Sequence, residues 1–107
     1  MSTIDHLLVR CNGARTDGEI HQALLASTRW IDAAMRGESQ EYTVQDVDFF
    51  LLEANPKEMA PATAITLARI TFSCRDRLPA WNVFLSRVRT ALADKRMNAD
   101  ELLRGLG

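Results

Sequence analysis

Between Ala62 and Cys74 the chain carries one charged side chain, Arg69, among thirteen residues. Ile65, Leu67, Ala68, Ile70 and Phe72 surround the axis of any helix built from this stretch almost completely, and a helix apolar on all sides belongs in an interior. Segment 61–74 is therefore expected to be a buried central helix, with Ile70 and Phe72 out of solvent. Pro61 suits its first position, where the missing proline amide would have had no partner.

Thr16-Asp17-Gly18-Glu19 and Thr43-Val44-Gln45-Asp46 each place a hydroxyl three residues before a carboxylate, the pattern of a capping box. Behind the first, Ile20, Ala23, Leu24, Ser27, Ile31, Ala34 and Met35 recur at helical steps over 17–36, ending near Gly37. Behind the second, Val47, Phe50, Leu51 and Ala54 form one face until Asn55-Pro56, while Phe49 and Leu52 widen it and predict packing on two sides. Asp48 and Glu53 point away from that face.

A short apolar stripe of Ile4, Leu7, Leu8 and Cys11 follows Ser2 and Thr3 and stops at Asn12-Gly13. After the polar turn Arg75-Asp76-Arg77 and Pro79, a clear stripe runs through Trp81, Phe84, Leu85, Val88 and Leu92. Asn98 can cap a last short helix holding Leu102, Leu103 and Leu106, closed by Gly105 and Gly107. Strand signals are weak, because no hairpin dipeptide separates alternating runs. The expected fold is all-α, a compact bundle of five or six helices, with residues 1–107 as one helical domain, a usual domain length.

Charge is segregated along the chain. Residues 1–53 hold four Lys and Arg against nine Asp and Glu, whereas residues 54–107 hold nine against five. Opposite charges can then meet within one fold, between the subunits of a homodimer, or across an interface with an acidic partner. Cys11 and Cys74 are too few for a disulfide framework and are expected as buried free thiols. Residues 1–6 lack a basic stretch followed by a long apolar one, and no apolar run approaches the roughly 18–20 residues of a membrane span. A cytoplasmic location without membrane attachment is expected.

Catalytic and metal chemistry find little to rest on. His6 and Cys11 diverge on a helix, and no second Cys or His pair accompanies them. Asp17 and His21 can share a helix face but lack a third partner. No nucleophile elbow or phosphate loop occurs, so no enzyme activity, cofactor or metal is expected. A helix-turn-helix over 43–74 is disfavoured, because a recognition helix must present polar side chains to bases.

What stands out is a run of cations: Arg69, Arg75, Arg77, Arg87, Arg89, Lys95 and Arg96 fall within 28 residues containing two acids. The planar arginine fork suits bidentate capture of carboxylate or phosphate. Arg89 and Arg96, seven apart, should share the helix face opposite Trp81 and Leu85. Arg75, Arg77, Arg87, Arg89 and Arg96 are therefore the candidate partner-binding residues. The expected function is a small protein-binding module, acting as an adaptor, inhibitor or regulatory subunit, with nucleic-acid binding through the same face as the alternative. Phe49, Leu52 and Trp30 lie off their main stripes and are candidate apolar anchors.

Overall fold

The computed structural model describes residues 3–38 and 42–106. Helices α1 (Thr3–Gly13), α2 (Asp17–Met35), α3 (Val44–Glu53), α4 (Pro61–Phe72), α5 (Trp81–Asp94) and α6 (Ala99–Leu102) follow in order, with a 3-10 turn at Arg75–Arg77. No strand occurs among the described residues. The fold is an all-α bundle, and Ser2 and Gly107 lie outside its described part.

The local signals act where the sequence puts them. The Glu19 amide donates to Thr16 Oγ1 at 3.2 Å, while the Thr16 amide donates back to Glu19 Oε1 at 3.3 Å. At α3 the Thr43 amide donates to Asp46 Oδ2 at 2.7 Å. Asn98 Oδ1 accepts from the Glu101 amide at the start of α6. Helix α2 closes with Gly37 at φ +70°, its amide bonded to the Ala34 carbonyl and the Glu38 amide to that of Ala33. This doubled closure requires a left-handed residue after the cap, which glycine adopts at little cost.

Helix α2 packs against α1, α3 and α4, and α5 packs against α3, α4 and α6, so α4 lies between α2 and α5. The α5 stripe is buried throughout, as is the α3 face of Val47, Phe50, Leu51 and Ala54. Trp81 Nε1 donates to Thr71 Oγ1 at 3.0 Å, which ties α5 to α4.

Helix α4 departs from the expected burial. Its buried positions are Thr63, Ala64, Leu67, Ala68 and Thr71, while Ile70 and Phe72 are half-buried and Ala62 and Arg69 exposed. Small residues on the inward side allow close approach of the two helices flanking α4. The larger side chains then lie at its edges, where the Phe72 ring meets Trp81 at 5.8 Å and carries the Arg75 guanidinium at 3.9 Å.

Two threonines on this face should respond oppositely to the same change. Thr63 Oγ1 is buried without a partner, so Thr63→Val should raise stability by about 1 kcal/mol through relief of an unsatisfied hydroxyl. Thr71 Oγ1 accepts from Trp81 and donates to the Leu67 carbonyl at 2.6 Å, so Thr71→Val should cost about 1–3 kcal/mol. Urea unfolding of both variants reads the difference in sign.

Candidate docking groove

The arginine run does not form one solvated face. Five arginines reach the last turn of five different helices, where carbonyls lack partners within their own helix. Arg15 donates to the Asn12 carbonyl in α1 at 2.7 Å, Arg77 to Met35 in α2 at 3.4 Å, and Arg87 to Leu52 in α3 at 2.7 Å. Arg75 donates to Phe72 in α4 and Arg69 to Leu102 in α6, each at 2.8 Å. A cation at a helix C-terminus also meets the negative end of its dipole. Arg77 and Arg87 thus join the basic half of the chain to the acidic half through backbone carbonyls.

Arg89 instead pairs with Asp100 at 2.8 Å, holding α6 to α5. Arg96 does not share its helix face, because α5 ends at Asp94 and Arg96 adopts φ +60° beyond it. The Met97 amide bonds the Leu92 carbonyl and the Arg96 amide that of Ala93, the same closure as at Gly37. Arg75 and Arg77 lie before α5 and Arg96 after it, with fourteen helical residues between, a separation of roughly 20 Å at 1.5 Å per residue. The five candidate arginines are therefore dispersed. Since a left-handed conformation penalises a side chain, Arg96→Gly should stabilise the fold by about 1 kcal/mol, measurable as a raised urea midpoint at unchanged slope.

Among the described residues Val9 on α1, Leu25 on α2 and Met97 after α5 expose large apolar side chains, and three more fall on α3 and α5. Phe49 is 49%, Leu52 44% and Val83 45% exposed, so the second packed side expected for α3 faces solvent. Trp30 is half-buried against Tyr42 and Phe50. Asp48, expected to point away, accepts the Ala80 amide at 2.6 Å, just before α5 begins at Trp81, two residues beyond Pro79. The Asp48–Ala80 and Leu52–Arg87 bonds run in the same order along both helices, so α3 and α5 lie side by side in the same direction. Phe49 and Val83 consequently occupy neighbouring levels of the seam.

Below them the seam opens into a groove of about 610 Å³, walled by Leu52, Glu53, Pro56 and Lys57 on one side and by Ser86, Arg87 and Thr90 on the other. Leu52 is exposed and lines the groove, with Phe49 one turn before it on α3 and Val83 one turn before Arg87 on α5. Of the five candidate arginines, Arg87 alone lines this groove. Val83 is the exposed apolar residue here that sequence reasoning missed; its signal was an apolar residue four before Arg87, outside the Trp81 stripe.

No family model, curated protein or solved structure matches this chain.

The remaining reactive groups are separated from the groove. Cys11 lies buried against Ser27 with Sγ–Oγ at 3.5 Å, and burial pushes its thiol pKa up despite that contact. Cys74 is half-buried and is likewise raised by burial. Both are free thiols. His6, Asp17 and His21 are exposed. Among the described residues no group of three His, Cys, Asp or Glu could hold a metal ion, and no helix is long and apolar enough to cross a membrane.

Proposed function

We propose that this chain is a non-enzymatic protein-binding module whose α3–α5 groove receives an amphipathic helix of a partner protein. The observation that carries this reading is the joint exposure of Phe49, Leu52 and Val83 beside the Arg87 groove. Contiguous exposed apolar surface rimmed by polar groups is the usual mark of an interaction site. Two helices lying side by side present a trough shaped for a third, and i, i+3, i+4 anchors on the incoming helix would meet this strip.

Charge sets the partner's chemistry. Lys57 and Arg87 outnumber Glu53 along the groove walls, and one Arg87 nitrogen bonds the Leu52 carbonyl while the rest of its five-donor fork stays available. A carboxylate at the edge of the partner helix would complete it. An adaptor or regulatory subunit is the role that suits such a surface, and two unbridged thiols suit a reducing compartment such as the cytoplasm.

Selection from a displayed library of helical peptides tests the reading, with Val83→Asp as the counter-screen. The expected result is enrichment of amphipathic, acid-edged peptides that the variant does not retain. Peptides that bind both proteins equally would overturn it. So would preferential binding of duplex or single-stranded oligonucleotides with a steep salt dependence, the signature of phosphate contacts. Against that alternative, Arg75 and Arg77 lie before α5 and Arg96 beyond its far end, while Arg89 is paired with Asp100, so the arginines do not gather into one basic face.

A further inference from the structure

A second concave surface gathers cations from three separate parts of the chain. Arg15 in the turn between α1 and α2, Lys57 in the turn after α3, and Lys95 at the end of α5 all line a cleft of about 460 Å³ over Met59, Ala60 and Pro61. Glu58 is the one acid in its wall. Lys57 has a further partner in Asp94, at 3.7 Å with both side chains largely exposed, a pairing that is weak in water.

Arg15 and Lys95 are anchored by the chain itself. Arg15 Nη1 bonds the Asn12 and Ala14 carbonyls, and Lys95 Nζ bonds the Met59 carbonyl at 2.9 Å. Neutral acceptors fix the positions of these groups without cancelling their charge, and each retains further N–H donors. Helix α4 starts beside the cleft without a capping side chain or an acid in its first turn, so its dipole adds to the same positive field. The three side chains carry the argument and the helix start reinforces it.

We infer that this cleft binds a small multivalent oxyanion of the phosphate class. The arginine fork can take two oxygens of such a group while the two ammonium groups act as point charges on the others. The site shares Lys57 with the docking groove but does not depend on what that groove binds.

Inorganic pyrophosphate is the probe, titrated into the full chain at constant ionic strength and followed by amide chemical shifts and calorimetry. The expected result is saturable shifts around Arg15, Lys57–Ala62 and Lys95. Affinity should fall about tenfold or more in Arg15→Gln/Lys95→Gln, which removes two charged donors but keeps amide donors for the carbonyls. Val83→Asp should bind pyrophosphate like the parent chain, which separates this site from the groove. If the double variant does not fold, Arg15→Gln alone, in an exposed turn, gives the same reading. Shifts that never saturate, or an affinity that charge removal leaves unchanged, would overturn the assignment.

Discussion

Phe84→Ala is expected to lower the free energy of unfolding by about 3–5 kcal/mol, a large share of the ~5–15 kcal/mol available to a domain. Phe84 is fully buried in the first turn of α5, a helix that packs against α3 and α4. Packed helices would have to shift together to fill the space its ring leaves, so most of the cavity should persist. Phe72→Ala should cost less, about 1–2 kcal/mol, because its ring is already half in solvent. Urea denaturation of the two variants checks the order. A loss below about 1 kcal/mol for Phe84→Ala would place it among surface-like substitutions and would contradict the packing described here.

The second large effect is on binding. Phe49→Asp/Val83→Asp should weaken a groove-directed peptide by about a hundredfold or more, the consequence of removing anchors worth ~2 kcal/mol or above. Stability should change by no more than about 0.5 kcal/mol, as for substitutions at exposed positions, since both side chains are nearly half exposed. Calorimetric titration with the selected peptide, beside thermal unfolding of the same samples, separates the two quantities. Loss of binding accompanied by unfolding would instead mean that the seam holds the bundle together.

The sequence made plain those features that depend on near neighbours. Thr16 with Glu19 and Thr43 with Asp46 cap because their partners lie three residues away, and the α5 stripe is read directly from its spacing. Helix α4 misled because a nearly uncharged segment has no polar face to orient it. Its inward side is set by how closely α2 and α5 approach, which favours Ala64, Ala68 and Thr71 over Ile70 and Phe72. The arginine run was visible as charge, but Arg69, Arg77 and Arg87 bond backbone carbonyls of helices far away in the chain, and a carbonyl has no letter in a sequence. Arg96 was misplaced through one helix boundary, closed by a left-handed residue without the glycine that would announce it. Phe49 and Leu52 were legible as off-stripe residues. Their alignment with Val83 follows from the Asp48–Ala80 and Leu52–Arg87 bonds, which only the folded chain displays.

The central claim is that α3 and α5 together present a receptor surface for a partner helix, and amide chemical-shift mapping with a selected peptide tests it most directly. The account predicts perturbations concentrated on residues 48–57 and 83–90, with Arg87 among those most affected and Arg75, Arg77 and Arg96 unmoved. Perturbations centred on Arg75, Arg77, Arg89 and Arg96, with Phe49 and Val83 silent, would contradict it.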